Sequence, residues 1–334
     1  MINNTFLGIG PMSKEIINSL DNFSKKTNKK IMLICSRNQV DSNKLGGGYV
    51  NNFSTKSFSK FIKNKKNNRL IMCRDHSGPF KRDGLKKNIY TEVENTKLSL
   101  LDDIINNFQI LHIDTSECGK AKYEIAQELI NFCNINSKKY KKKIFFEFGC
   151  EDHGVLTSLK KFKEDINFFK KCSNRQYIVC QTGSLVKSVF QIGQFDVDTV
   201  KEMSQIAKDN GILLKEHNCD YLNNDEILLR KKNGISAINI APEFGVLQTR
   251  ITYYLSKQLG LDKNIEKFKK FVLGKKKWKK WLYKNENNLI KFFSSGHYHF
   301  NENMYKKLIF KINKKVNFQK NLNLQVLNNL NRFI

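Results

Sequence analysis

Two histidines in this chain each follow an acidic residue at the end of a short apolar run. His76 comes directly after Asp75, and His217 comes directly after Glu216. Neutral imidazole and carboxylate groups together make the ligand sets that Zn²⁺, Mn²⁺ and related divalent ions prefer in proteins. The pattern therefore indicates a metal site with a position left open for a substrate, provided that the fold brings the two pairs together.

Two further polar residues extend this set. Glu151 follows the fifth apolar run, and Gln181 follows the sixth, where its amide oxygen could complete a ligand shell. We predict that four side chains hold the ion. They are His76, Glu151, Gln181 and His217.

The other histidines are weaker candidates for a site. His112 lies inside its apolar run and is predicted to be a hydrogen-bonded packing residue, and His153 is predicted to face solvent. His297 and His299 alternate as on an extended segment. They either close over the site or lie on the surface, and the sequence leaves both interpretations open.

The elements that must position these residues are eight apolar runs separated by segments of helical periodicity. Strands that alternate with helices predict a parallel sheet, and eight such units predict a (β/α)8 TIM barrel, whose active site is built at the carboxyl ends of the strands. No Gly-x-Gly-x-x-Gly motif follows any run, which disfavours an open Rossmann sheet. The predicted strands are Thr5–Gly10, Ile31–Ser36, Leu70–Cys73, Ile110–Ile113, Ile144–Phe148, Tyr177–Cys180, Ile212–Leu214 and Ser236–Ala241.

Helical segments and the end of the strand pattern predict the domain organisation. Lys14–Phe23 and Val197–Ala207 are predicted helices, with Ser13 and Asp196 as their N-caps. The strand pattern stops near Leu255. We therefore predict a barrel over residues 1–255 and a basic, mainly helical C-terminal extension over residues 256–334 that packs on it.

Composition limits the classes of partner. The formal net charge is +28, but only eight of the 59 basic residues are Arg, which nucleic-acid surfaces favour for bidentate contacts. No specific nucleic-acid partner is therefore predicted. The eight Cys residues include no Cys-x-x-Cys pair, and no segment approaches the roughly 18 apolar residues of a membrane span. These features predict a cytoplasmic protein without a membrane partner.

Several motifs occur in an order that resembles the GatZ/KbaZ family, which is named for the accessory subunit of class II tagatose-bisphosphate aldolase. The resemblance covers roughly residues 5 to 300. The motifs that carry it are Asn38-Gln39-Val40, Gly47-Gly48-Tyr49, Asp75-His76-Ser77-Gly78-Pro79, His112-Ile113-Asp114-Thr115-Ser116, Gly149-Cys150-Glu151, Gln181-Thr182-Gly183 and Glu216-His217-Asn218-Cys219-Asp220-Tyr221.

This resemblance implies a TIM barrel of the class II aldolase superfamily that uses a divalent metal. Zn²⁺ is the first choice, and Mn²⁺, Ni²⁺ and Co²⁺ are the alternatives. The implied substrate is a phosphorylated ketose, on which retro-aldol and aldol steps cleave the C3–C4 bond or epimerise C4. Family members are also described as non-catalytic partners of a class II aldolase subunit. That role is the alternative function, and homo-oligomerisation is left open.

The resemblance also implies roles for individual residues. A carboxylate beside the metal takes the O4 proton as a general base, and backbone N–H groups near Gly183, Ser184 and Gly245 hold the phosphate. Gln181 stands where catalytic class II aldolases place a zinc-binding histidine. The predicted catalytic residues are Asp75, Asp114 and Glu216. The predicted substrate-binding residues are Asn38, Gln39, Gly48, Gly183, Ser184, Asp220 and Glu243.

Overall fold

Eight parallel strands close into a barrel in the computed structural model, which describes residues 5–84, 88–149, 155–280, 282 and 285–333. Each barrel strand pairs with its neighbours along the chain, and the first pairs with the last. The predicted (β/α)8 TIM barrel is confirmed. Its strands are β1 (Leu7–Ile9), β2 (Ile31–Ser36), β3 (Leu70–Ser77), β4 (Ile110–Ile113), β5 (Phe145–Phe148), β6 (Arg175–Cys180), β7 (Leu213–Glu216) and β8 (Ala237–Ile240).

Two strands continue beyond the apolar runs that predicted them. β3 includes Asp75, His76 and Ser77, and β7 includes Glu216. These residues therefore belong to strand ends and not to the loops after them. The barrel accepts polar side chains at its carboxyl-terminal end, so hydropathy alone predicts strands that are too short there.

A helix follows every barrel strand, as the alternating pattern predicts. Ser13 accepts a hydrogen bond from the Ile16 N–H at the start of the first helix, and Asp196 accepts one from Thr199 at the start of the sixth. Both side chains satisfy backbone donors that a helix start leaves unpaired. The helices are α1 (Lys14–Thr27), α2 (Thr55–Lys63), α3 (Ile89–Ile105), α4 (Lys122–Lys139), α5 (Leu159–Phe169), α6 (Val197–Asp209), α7 (Asn224–Lys232) and α8 (Pro242–Gln258).

In the described residues, four more α-helices follow the barrel. They pack against two of its helices, α1 and α8. The predicted boundary between residues 255 and 256 falls inside α8, and the division into barrel and extension stays a prediction. Ser19 of α1 donates a hydrogen bond of 2.7 Å to Asn323, which lies in the last of these helices. The helices are α9 (Asp262–Gly274), α10 (Asn288–Ser295), α11 (Asn303–Asn313) and α12 (Phe318–Leu330). No helix within the described ranges is both long and apolar enough to cross a bilayer.

The barrel interior changes from apolar to polar along the strand direction. Side chains two residues apart on a strand share a face, so each inward position leads to the next layer. The lower layers hold apolar residues that include Ile71, Cys73 and Ile110. The layer towards the carboxyl ends of the strands is charged or polar. It contains Asp75, His112, Glu147, Lys215 and Asn239.

Candidate active site

Asp75 and His76 are consecutive residues of β3, yet both contribute to one cluster. Neighbouring side chains of a regular strand point to opposite faces. Here the pairing of β3 with β4 shifts register between Arg74 and Ser77, and His76 has a positive φ of 45°. This conformation is uncommon for a residue other than glycine and is concentrated at functional sites. The backbone distortion therefore allows both side chains to serve the same site.

Three imidazole rings meet at this end of the barrel. The ring centroids of His76, His112 and His217 are each 5.2 Å from the other two. His112 and His217 are buried, and His76 is partly exposed. One nitrogen from each ring can be chosen so that all three lie within 4.8 Å of one another. Three histidines in this arrangement suit one divalent ion and leave a further position open.

Oxygen atoms orient two of these rings. His76 Nδ1 lies 2.8 Å from Asp114 Oδ2, and His112 Nε2 lies 3.3 Å from the Gly149 carbonyl oxygen. The His76 backbone N–H donates to His112 Nδ1 at 3.2 Å, which places the ring proton of His112 on Nε2. Histidines that bind metals usually donate their second nitrogen to a carboxylate or a carbonyl in this way. His76 is therefore oriented as a ligand. In His112, an ion would take the Nδ1 lone pair that here accepts the His76 N–H.

His217 is oriented from across the barrel. Its Nε2 lies 2.7 Å from Glu147 Oε1 and 2.9 Å from Asn239 Nδ2. The other carboxylate oxygen of Glu147 accepts a hydrogen bond of 2.5 Å from Lys215 Nζ. All four side chains are buried. Glu147 therefore lies between a buried ammonium group and an imidazole, and its two oxygens have different partners.

Asp75 lies at the centre of the three rings. Its carboxylate oxygens are 3.8 Å from His76 Nε2, 3.7 Å from His112 Nδ1 and 3.9 Å from His217 Nδ1. Asn239 Nδ2 donates to the same carboxylate at 3.3 Å. A second set of possible ligands, formed by Asp75, His112, Glu147 and His217, also lies within 4.8 Å. The Asp75 carboxylate can thus act beside a metal held by the histidines, or bind it directly.

Both central carboxyl groups are ionised near neutral pH. Burial opposes the charge of Asp75, but the neighbouring His76 and His217 outweigh it and hold the Asp75 pKa well below its ordinary value. Burial also opposes the charge of Glu147, but Lys215 and the histidines lower its pKa to about 2. Lys215 keeps its proton because Glu147 raises its pKa against the effect of burial. Metal-binding histidines must be neutral, so a bound cation would take the place of their positive charge beside the two carboxylates.

Three side chains contact the Asp114 carboxylate. Besides His76, its carboxylate accepts hydrogen bonds from Ser116 Oγ at 2.7 Å and lies 3.1 Å from Lys81 Nζ. Gly78 packs directly on its backbone, since a Cβ at this glycine would lie 1.6 Å from the Asp114 carbonyl oxygen. Asp114 therefore orients His76.

The structure brings four of the predicted site residues into this cluster. The Gln181 backbone pairs with Thr157, and its buried side-chain Nε2 has no hydrogen-bond partner among the described residues. The predicted ligand Glu151 lies outside the residues that the structure describes. The four residues brought together are Asp75, His76, Asp114 and His217.

Glu216 is not brought to the cluster, although it precedes His217. Its carboxylate is hydrogen-bonded to Arg230 Nε at 2.9 Å and to Thr182 and Ser184. Strand alternation explains this placement, because the inward positions of β7 are Lys215 and His217. Glu216 therefore stabilises the packing outside the barrel and is not positioned for proton transfer in the cluster.

Three predicted substrate-binding residues form the frame of the loop after β2. Gln39 Oε1 accepts from the Ser36 N–H at 2.9 Å, and Asn38 Oδ1 accepts from the Asp83 N–H at 2.9 Å. A Cβ at Gly48 would lie 2.1 Å from the Gln39 carbonyl oxygen, so glycine is required for close contact within the loop. These contacts connect the loop to itself and to the loop after β3.

Four more predicted substrate-binding residues lie after β6, β7 and β8, and internal contacts engage them. Gly183 lies against the carbonyl group of residue 194, and Ser184 is hydrogen-bonded to Glu216 and Arg230. Asp220 and Glu243 accept backbone hydrogen bonds from each other's loops.

Sequence reasoning missed four residues of the cluster. The sequence pattern predicts a packing role for His112, and it predicts no site role for the other three residues because they lie inside strands. A detectable signal exists, since a polar or charged side chain lies within an apolar run or directly after it in each case. The residues are His112, Glu147, Lys215 and Asn239.

The fold is similar to that of several solved structures at low sequence identity. A probable tagatose 6 phosphate kinase from Sinorhizobium meliloti 1021 aligns with a TM-score of 0.79 and 14% identity, over 92% of this chain and 86% of that one. The fructuronate-tagaturonate epimerase UxaE from Cohnella laeviribosi aligns with a TM-score of 0.61 and 12% identity, over 98% and 81%. A fructose-bisphosphate aldolase from Campylobacter jejuni gives 0.53 and 14%, over 76% of each chain. No family model and no curated protein sequence matches.

These likenesses rest on structure at identities of 12% to 14% and show a shared fold. The shared fold is the TIM barrel that the resemblance noted in the sequence implies. Membership of the GatZ/KbaZ family stays a prediction. The catalytic roles assigned from the sequence are likewise taken up as proposals below.

Proposed function

We propose that this protein is a divalent-metal-dependent enzyme that acts on a phosphorylated ketose by retro-aldol and aldol chemistry at the C3–C4 bond. The observation that carries this proposal is the equilateral arrangement of His76, His112 and His217 around the Asp75 carboxylate. The cluster lies at the carboxyl ends of the strands, where barrel enzymes place their active sites. Aldolases and an epimerase among the structural neighbours agree with this assignment.

The donor set fits a divalent ion. Three imidazoles would hold it, with Asp75 or Glu147 as an additional oxygen ligand. Nitrogen and carboxylate donors in this number suit Zn²⁺ first, and Mn²⁺, Co²⁺ or Ni²⁺ next. When bound, such an ion supplies a Lewis acid that polarises the ketose carbonyl.

The chain's own residues handle the proton and the surroundings. Asp75 is ionised and takes the O4 proton as general base, after which the electrons of the C3–C4 bond move towards the C2 carbonyl. The buried rings of His112 and His217 exclude water from beneath the reacting atoms. Asp114 and Glu147 keep His76 and His217 in their orientations. Release of the aldehyde completes cleavage, and its rotation and re-addition complete C4 epimerisation.

The alternative function, a non-catalytic partner of an aldolase subunit, predicts a damaged set of ligands. The described part of the chain instead supplies three oriented histidines and two ionised carboxylates. Gln181, which replaces a histidine of catalytic aldolases, does not leave the set incomplete, because His112 provides a third imidazole. This compensation favours the enzyme over the accessory subunit.

Turnover of defined sugars tests the proposal. The purified protein, loaded with Zn²⁺ or Mn²⁺, is incubated with fructose 6-phosphate, tagatose 6-phosphate and the two bisphosphates. We expect triose formation or C4 interconversion, with both reactions lost in His76→Ala and kept in the control His299→Ala, which alters a histidine outside the cluster. Absence of turnover with every metal and sugar, together with co-purification of an aldolase-like subunit, would establish the accessory role instead.

A further inference from the structure

The loops after β6, β7 and β8 lie where barrel enzymes commonly hold a substrate phosphate. Barrel enzymes bind the phosphate there with backbone N–H groups and with the start of a helix. In this chain the corresponding donors belong to the segment after Gln181, the loop after His217 and the start of α8. Several of these donors already have partners within the chain.

The segment after β6 offers little space for an anion. A Cβ at Gly183 would lie 2.0 Å from the carbonyl oxygen of Gln194, so the chain's own backbone fills the space that this glycine leaves. Ser184 Oγ donates to Glu216 and accepts from Arg230 Nη2, which lies 2.7 Å away. The hydroxyl group and the nearby guanidinium are therefore both engaged by a buried carboxylate.

The start of α8 is occupied by a carboxyl group of the chain. Asp220 Oδ1 accepts hydrogen bonds from the Ala241 N–H at 3.1 Å and from the Glu243 N–H at 2.8 Å. Asp220 is buried, and burial together with the neighbouring Glu243 raises its pKa to about 8. Two backbone donors at this helix start therefore already bind an internal oxygen.

Glu243 is a second acidic residue at the start of α8, and its carboxylate also has partners within the chain. Glu243 Oε2 accepts from the Tyr221 N–H at 2.7 Å, and the same carboxylate lies 2.5 Å and 2.6 Å from Arg332 Nη2. Gly245, the next glycine of α8, lies against the ring of His297, 2.7 Å from where its Cβ would be. Arg332, the cation nearest to this helix start, is therefore paired with Glu243. Gly245 is in contact with the buried side chain of His297.

We infer that Asp220 and Glu243 determine specificity by excluding a phosphate from the loops after β6, β7 and β8, so that the ketose carries a phosphate at one end at most. This inference rests on the proposed function for the identity of the sugar. Whichever end of the ketose lies at these loops, a bisphosphate would bring a phosphate to N–H donors that already bind Asp220 and to an Arg332 that is already paired with Glu243. The buried Gln181 Nε2, which lacks a partner among the described residues, is instead a donor for a neutral hydroxyl or carbonyl oxygen.

Inorganic phosphate tests the exclusion without relying on catalysis. The full-length protein, with and without bound Zn²⁺, is titrated with phosphate by calorimetry. We expect Asp220→Ala to bind phosphate at least about tenfold more tightly than the wild type, because two N–H donors become available. Asp220→Asn keeps an acceptor oxygen and should behave as the wild type. Asp196→Ala, which removes an exposed N-cap of α6, is the matched control.

A sugar panel gives the second readout on the wild type. We expect ketohexose 1- or 6-phosphate to bind at least about tenfold more tightly than the 1,6-bisphosphate. Preference for the bisphosphate, or identical phosphate affinities in all four proteins, would overturn the inference. If Asp220→Ala gains phosphate binding but the wild type turns over no sugar, the proposed function fails. The inference that Asp220 excludes a phosphate from these loops is then still supported. If Asp220→Ala does not fold, the wild-type panel decides.

Discussion

Glu147 and His217 are joined by a hydrogen bond of 2.7 Å, although their strands β5 and β7 are separated by β6. The contact crosses the barrel interior, and Lys215 binds the other oxygen of the same carboxylate. An imidazole of the proposed metal site is therefore oriented by a buried ion pair. This relationship connects the stability of the barrel to the geometry of the site.

Asp75→Asn is expected to lower turnover strongly while the fold persists. Asparagine keeps the size of the side chain but cannot accept a proton, and loss of a general base lowers kcat by about 10²–10⁴-fold. Steady-state kinetics measure the effect, and thermal unfolding checks the fold. Turnover close to that of the wild type would mean that Asp75 is not the base.

Lys215→Met is expected to destabilise the protein strongly. The substitution leaves Glu147 buried and ionised without its cation, and breaking such a pair costs about 3–5 kcal/mol of unfolding free energy. The double variant Lys215→Met with Glu147→Gln should recover a large part of this loss. Urea unfolding of the four proteins in the cycle measures the coupling, and additive effects would contradict it.

Gly78→Ala is expected to displace Asp114 and with it the ring of His76. The added Cβ would lie 1.6 Å from the Asp114 carbonyl oxygen, so the backbone must shift. We expect a loss of about 1–3 kcal/mol in unfolding free energy and weaker metal binding. Gly274→Ala, where a Cβ would meet nothing within 4 Å, is the control. Equal stability of the two variants would argue against the close contact.

Asp220 predicts a pH dependence of stability with a definite sign. Its pKa is about 8 in the folded protein and near the ordinary value of 3.8 in the unfolded chain. The folded state therefore holds a proton that the unfolded state has lost, so this residue's contribution to stability decreases as pH rises from about 4 to about 8. Urea unfolding across this range should show Asp220→Asn gaining stability relative to the wild type as pH rises. A constant difference would contradict the raised pKa.

The sequence predicts the barrel well because eight apolar runs alternate with helical segments, and strands such as β2 and β4 have the predicted limits. It predicts the site less well because side-chain direction depends on strand alternation. Glu216 looked equivalent to Asp75, since each precedes a histidine, but a regular β7 turns Glu216 outwards and Lys215 inwards. The positive φ of His76 removes that alternation on β3. Hydropathy does not report such a local distortion.

His112 is the reverse case, a residue that the sequence predicts to be a packing residue and that the barrel places in the site. Its position inside a strand suggested packing, yet the strand carries it into the polar layer beside Asp75 and Glu147. Only the closed barrel reveals that residues of β3, β4, β5 and β7 share this layer. A sequence rule that examines the inward-facing polar residues just before the end of each strand would identify His112 as a site candidate.

The central claim is that three histidines, with His112 among them, hold one divalent ion. The direct test is the Zn²⁺ affinity and stoichiometry of the wild type, His112→Ala and Gln181→Ala, measured by competition with a chromophoric chelator. We predict one ion per chain in the wild type, an affinity lowered more than about 100-fold in His112→Ala, and an affinity near that of the wild type in Gln181→Ala. Unchanged binding in His112→Ala with loss in Gln181→Ala would contradict this claim.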